Sequence, residues 1–325
     1  MGWWRAGERR SWGVVLVGIV LASLLAGCGN DGSGGYQGEI EIDGSSTVFP
    51  ISQAVAEEFF LENRGTKFTV GASGTGGGFE KFCRGDIDIS DASRPIKPDE
   101  AALCAGNGIE YSELTVAADG LSVIVHPDND WADCLTVEQL RQLWMPGSTV
   151  KRWSDLDPSW PDKQIDLYGP GTDSGTFDYF TETINGEAGA SRADYSASED
   201  DNTLIQGVEG DRYALAYLGY AYYSENADRL KVLAIDGGNG CVAPSPDTVR
   251  DGSYAPLSRP VFIYVNNAGL TANDSPDLET PGPSSTLAAF VIYYLTEGIG
   301  VIPFVGYVPY DEAFYEEQLR AIGLR

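Results

Sequence analysis

Apolar residues recur along the chain in two rhythms. Short runs or alternations at Glu39–Ile42, Thr66–Val70, Ile87–Ile89, Leu121–Val125, Ile165–Tyr168, Ala214–Leu218, Lys231–Ile235 and Val261–Val265 predict β-strands. Between several of them the period lengthens. Ile51, Ala54, Val55 and Phe59 share one helical face after Pro50, and Val137, Leu140, Leu143 and Trp144 share another. Strands alternating with helices predict an α/β architecture, with helices flanking mostly parallel sheets. Leu287–Leu295 is apolar but too short to span a bilayer, and reads as a core helix.

The N-terminus breaks this pattern. Arg5, Arg9 and Arg10 precede an apolar run from Trp12 to Leu25, which ends in Leu25-Ala26-Gly27-Cys28; these are the three parts of an export signal. Residues 1–27 are therefore read as an address outside the fold. The ending resembles a bacterial lipobox, in which the thiol of Cys28 is acylated and becomes the mature N-terminus. Arg9-Arg10 leaves the Sec and twin-arginine export routes both open. Residues 28–38 are rich in Gly, Asn, Asp and Ser, as expected of a flexible tether.

The rest of the chain is long enough for two domains. Leu114–Gly120 and Pro256–Pro260 are the expected crossing points, dividing the body into a discontinuous lobe, 39–118 plus 259–325, and an inserted lobe, 119–258. Cys83, Cys104, Cys134 and Cys241 form an even set in an exported chain, with three possible connectivities. Pairing Cys83 with Cys104 and Cys134 with Cys241 is favoured because each bridge then stays inside one lobe. The net charge of −27 becomes −29 once the signal, with three Arg and one Glu, is removed. Such a surface argues against nucleic acid and anionic lipid headgroups as partners. An anion site here has to rest on local hydrogen bonds and one or two placed cations.

Three loops share one design. Asp43–Pro50, Gly71–Gly78 and Gly169–Thr176 each follow a strand, carry Gly, Ser and Thr, and open a helix. Unpaired N–H groups at a helix start point outward with the positive end of the dipole, and glycine lets an anion approach the backbone. Hydroxyls add donors without charge. Any one such loop is explained by capping and turns, but three in one chain point to an anion site. The candidate ligands are Ser46, Thr47 and Val48 in the first loop, Ser73 and Thr75 in the second, and Ser174, Gly175 and Thr176 in the third. Ser93 and Arg94, in the segment Asp88–Ile96, add a hydroxyl and a cationic fork. Asp91 and Asp173 are candidates to accept the proton that a protonated oxyanion carries and sulfate lacks.

Enzyme chemistry finds little support. The single histidine, His126, stands outside these loops, so a Ser-His-Asp triad has no partner among them. No nucleophile elbow, P-loop or dinucleotide fingerprint is complete, and the cysteines are too widely spaced for a zinc site. No catalytic residue, cofactor or metal is expected.

Gly44–Ile51 (GSSTVFPI), Ser73–Phe79 (SGTGGGF), Ser90–Ile96 (SDASRPI), Asp173–Phe177 (DSGTF), Gln206–Tyr223 (QGVEGDRYALAYLGYAYY) and Gly306-Tyr307-Val308-Pro309 resemble, in order and over most of the mature chain, the signatures of the phosphate-binding lipoproteins of high-affinity phosphate ABC transporters. The resemblance implies a type II periplasmic-binding-protein fold, with two lobes on a two-segment hinge that close on inorganic phosphate. It also implies a monomer, anchored to the outer face of the cell membrane through Cys28, that delivers phosphate to permease subunits with a cytoplasmic ATPase. Thr47 and the Val48 backbone match the family's first phosphate-contacting loop, Ser73 or Thr75 the second, and Ser174, Gly175 and Thr176 the third. Upstream of the third loop the family's arginine is replaced by Gly169-Pro170-Gly171. Arg94 is therefore expected to supply the cation, and Asn202 a further hydrogen bond. Two alternatives stand beside this reading: a binding protein for another oxyanion, sulfate or molybdate, and a surface lipoprotein that senses phosphate without transporting it.

Overall fold

In a computed structural model of the chain, residues 35–172, 174–271 and 285–325 are described. The export signal, Cys28 and Asp173 lie outside the described residues. The strands run β1 (Gln37–Gly44), β2 (Gly65–Val70), β3 (Ile89–Ala92), β4 (Tyr111–Val125), β5 (Cys134–Thr136) and β6 (Asp166–Gly169). They continue as β7 (Ser196–Ala197), β8 (Ala214–Gly219), β9 (Lys231–Val232), β10 (Ala234–Asp236), β11 (Cys241–Val242) and β12 (Ser258–Asn266). The first seven helices are α1 (Phe49–Glu62), α2 (Thr75–Arg84), α3 (Pro98–Gly106), α4 (Val137–Trp144), α5 (Trp153–Leu156), α6 (Gly175–Asn185) and α7 (Asp201–Gly210).

The main sheet has the order β2-β1-β3-β12-β4-β8-β6-β7, with β9 also on β4, while β5, β10 and β11 form a small second sheet. The pairing is more mixed than the sequence pattern predicts. β1 is parallel to β2 and β3, β6 to β7 and β8, and β5 to β10. In the main sheet the antiparallel pairings centre on β12 and β4, namely β12 with β3 and β4, and β4 with β8 and β9; in the small sheet β10 is antiparallel to β11. The cause is the length of β4. Its first ten residues pair with β12, whereas Leu121–Val125 pair with β8, so one strand serves two parts of the sheet. The segment read only as a crossing, Leu114–Gly120, is thus the middle of a strand, and the strand expected at Ile87 starts two residues later.

Two of the apolar clusters flank most of this strand, and a third meets it at Ile124. Ile51, Val55 and Phe59 of α1 pack with Ile40 and Ile42 of β1, Val116 of β4, Ile263 of β12 and Phe290 of the helix Thr286–Tyr294. Val123, Trp144, Trp153, Phe180, Leu215 and Tyr217 form the other. Along β4 the change of core falls between Ala117 and Ala118. The apolar helix near the C-terminus is buried as expected, and among the described residues no single helix is long and apolar enough to cross a membrane. Its capping is also local: Ser285 Oγ accepts from the Ala288 amide, as a helix start requires.

Both favoured disulfides form. Cys83–Cys104 joins α2 to α3 with Cα atoms 4.1 Å apart, and Cys134–Cys241 joins β5 to β11 at 6.1 Å. Each bridge therefore lies within one of the two lobes expected from the sequence.

Candidate anion-binding site

The site begins where β1 ends. Gly44 has φ +146°, and a Cβ on it would stand 2.1 Å from the Asp91 carbonyl oxygen on β3; only glycine tolerates both. The Ser45 amide donates to that same carbonyl at 2.9 Å. A Cβ on Gly78 would meet the Gly44 Cα at 2.5 Å, so the first turn of α2 lies directly on the end of β1. Three chain segments are thereby drawn to one place.

Asp43 fastens two of them. Its Oδ1 accepts from the amides of Gly44 and Ser73 at 2.7 and 2.8 Å, and its Oδ2 from Lys81 Nζ. Burial raises the Asp43 carboxyl, but the Lys81, Ser73 and Gly44 hydrogen bonds outweigh it and hold the group below its ordinary value. Ser73 is thus a tie between loops and is not among the residues lining the cavity. Thr75, the first residue of α2, does line it. The turn that separates their roles is made by Gly74, at φ +82°.

The cavity, about 220 Å³, is walled by Ser45, Ser46 and Thr47 of the first loop, by Gly74, Thr75 and Gly76 of the second, and by Ser93 and Arg94. Asp178, Tyr179 and Glu182 of α6 and Arg259 of β12 complete it, together with Ala188. Of the residues expected from the sequence, Ser46, Thr47, Thr75, Ser93 and Arg94 therefore line one cavity. The third loop stands at its edge: a Cβ on Gly175 would lie 3.0 Å from Thr47 Oγ1, and Ser174 Oγ caps α6 by accepting from the Thr176 amide at 3.2 Å. Val48 is fully buried at the start of α1, and Asp91 is fully buried on β3. Asn202, at the start of α7, gives its side-chain amide to Asp200 at 3.1 Å and does not line the cavity.

Arg94 is held, not free. Its Nη2 and Nη1 donate to the two carboxylate oxygens of Glu100 at 2.7 and 2.8 Å, and Glu100 also accepts from the Lys97 amide at the start of α3 at 2.8 Å. This fork fixes the guanidinium plane.

A second cation escaped the sequence reading. Arg259 lies directly opposite Asp119 in the β12–β4 ladder and donates from Nε to Asp119 Oδ2 at 3.3 Å and from Nη2 to Thr47 Oγ1 at 3.2 Å. Its guanidinium carbon sits 3.6 Å from the centre of the Tyr179 ring, a cation–π contact. Asp119 is 5% exposed. Burial raises its carboxyl and Arg259 opposes the shift. The Tyr307 hydroxyl donates to the Thr47 carbonyl, so Thr47 is held at both its hydroxyl and its carbonyl. Nothing in the pattern around Ser258-Arg259-Pro260 marks this residue, because its partners are 140 and 212 positions away.

The result is a small pocket of hydroxyls and two oriented guanidinium groups, with the carboxylates of Asp178 and Glu182 at its exposed rim. Such an arrangement suits a compact tetrahedral anion that still carries a proton for one acceptor.

The chain resembles known proteins in sequence and in fold. Residues 29–297 match the profile of the PBP superfamily domain. Protein SphX of Synechocystis is 45% identical over 310 residues, covering 95% of this chain and 88% of that protein. The phosphate-binding protein PstS of Staphylococcus saprophyticus is 40% identical over 293 residues, covering 87% and 90%. The crystal structure of a possible phosphate binding protein from Planctomyces limnophilus is similar with a TM-score of 0.80 and 46% identity, covering 88% of this chain and 98% of that one. With these matches extending over most of its length, the chain belongs to the PBP superfamily, in the family of SphX and PstS.

Proposed function

We propose that this chain is an extracytoplasmic solute-binding lipoprotein that captures inorganic phosphate in this cavity and delivers it to an ABC permease driven by a cytoplasmic ATPase. The observation that carries the reading is convergence: hydroxyls from three separate segments and two fixed arginines, brought from across the chain, meet in one pocket. Thr47, Thr75, Ser93, Arg94 and Arg259 are assigned as direct donors, with the α6 start, Ser174 to Thr176, closing over the ligand. Cys28 is assigned as the lipid anchor, on the strength of the lipobox-like sequence. The departure in the third loop has a physical answer, since Arg94 and Arg259 supply the cations that Gly169-Pro170-Gly171 does not.

The body divides into lobes 39–118 plus 259–325 and 119–258, with β4 and β12 as the two hinge strands. The change of core along β4 supports this, and neither disulfide bridges the two parts. A ligand touching both lobes favours the closed state by its differential affinity. Small-angle scattering is expected to show a smaller radius of gyration with phosphate; identical profiles would contradict closure.

The Arg94 assignment has its own test. Arg94→Ala is expected to weaken phosphate binding at least tenfold, about 1.4 kcal/mol, when titrated against ligand-stripped protein. Unchanged affinity removes Arg94 from the site.

A further inference from the structure

Two hydrogen bonds fix where a planar group sits and still leave it one way to move. Arg259 is in that position. Its Nε donates to Asp119 Oδ2 at 3.3 Å and its Nη2 to Thr47 Oγ1 at 3.2 Å, both through N–H groups that lie in the guanidinium plane. The plane can tilt about the line joining the two acceptors. What stops the tilt is Tyr179 of α6. Its ring centre is 3.6 Å from the guanidinium carbon, closer than an approach at the ring edge allows, so the cation lies on the ring face. The ring is held in turn, because the Tyr179 hydroxyl donates to the Pro256 carbonyl at 2.9 Å, just before β12 begins. Burial pushes that hydroxyl up, with the Asp119 and Glu182 charges adding to the shift and Arg259 opposing it, so it remains a donor.

The start of α6 meets the other end of the same bond. A Cβ on Gly175 would lie 3.0 Å from Thr47 Oγ1, and Tyr179 follows one turn later on the same helical face. Arg259 and Tyr179 both line the cavity, and the Arg259 Nη1 has no hydrogen-bond partner among the described residues. We propose that Tyr179 is a positioning residue of the oxyanion site: its ring fixes the guanidinium plane of Arg259, which keeps Nη2 on Thr47 and leaves Nη1 for the anion. This rests on the phosphate-binding reading above. Tyr179 acts through Arg259, since its own hydroxyl proton is committed to Pro256 and offers the ligand no donor.

Ring and volume are separable. Tyr179→Met removes the ring and fills much of its space with a flexible apolar chain, and phosphate affinity is expected to fall about tenfold; Tyr179→Leu is a second ring-less variant with the same expectation. Tyr179→Phe keeps the ring, loses only the Pro256 bond, and should bind within about threefold of the parent. In Arg259→Ala the change Tyr179→Met should cost nothing more, because the group it seats is gone. The experiment titrates phosphate into the ligand-stripped parent, these variants and the Arg259→Ala, Tyr179→Met double variant. It also records the Arg259 Nε–H proton resonance of each ligand-free protein that keeps the arginine. The ring face should shift that resonance upfield in the parent and in Tyr179→Phe, and the ring-less variants should lose the shift. The proposal is overturned by ring-less variants that bind like the parent, by Tyr179→Phe binding as weakly as they do, or by an equal loss with and without Arg259. A resonance unmoved by removing the ring overturns it as well. A parent that binds no phosphate refutes the function instead, and the ligand-free resonance then decides the role of Tyr179 by itself.

Discussion

Arg259→Ala is expected to cost more than any other single substitution at the site, weakening phosphate binding by at least a hundredfold. Two losses combine. The cavity loses the fork that donates to Thr47 Oγ1 and packs on the Tyr179 ring, and buried Asp119 loses its counter-ion. Leaving one partner of a buried pair behind costs on the order of 3–5 kcal/mol, so the ligand-free protein should also melt lower. The pH dependence is specific. Asp119 already has a raised carboxyl because of burial, and Arg259 restrains the shift; without the arginine it rises further. A carboxyl whose folded pKa exceeds its unfolded value stabilises the fold as pH falls. The stability deficit of Arg259→Ala should therefore shrink from neutral pH toward pH about 4, where neutral Asp119 needs no cation. Adding Asp119→Asn should recover most of the stability and none of the affinity. Melting curves and phosphate titrations of the single and double variants check this; a single variant that binds normally removes Arg259 from the site.

The second large effect concerns backbone. Gly44→Ala places a methyl carbon 2.1 Å from the Asp91 carbonyl oxygen, in a residue at φ +146°. Neither problem is relieved by a side-chain rotation, because the obstacle is main chain. Either β1 separates from β3 at the Gly44–Asp91 pair, or the Ser45 amide leaves the Asp91 carbonyl. The expected cost is about 3 kcal/mol, a fall in Tm of about 5 to 10 °C. Phosphate affinity should drop with it, since Ser45 to Thr47 follow directly. Calorimetric melting beside a phosphate titration reads both, and an unchanged Tm would show that the close approach is not needed.

What the sequence disclosed and what it hid divide along one physical line. The three loops were legible because their signal is local: a strand ends, glycine and hydroxyl residues turn the chain, and a helix begins within a few residues. Arg94 was legible for the same reason, standing in a segment with Asp91 and Ser93. Ser73 and Thr75 could not be separated by pattern, since the Gly74 turn that sends one to Asp43 and the other to the cavity is a matter of backbone angles. Arg259 lay beyond reach because strand register brings it to Asp119 and Thr47. The length of β4 was hidden for another reason: buried in its later part on both faces, it lacks the clean alternation that marks a half-exposed strand.

Isothermal titration of ligand-stripped protein with phosphate, alone and in the presence of excess sulfate, tests the central claim most directly. The account expects one saturable phosphate site per chain whose affinity sulfate leaves unchanged; heat on adding sulfate or molybdate with none on adding phosphate would contradict it.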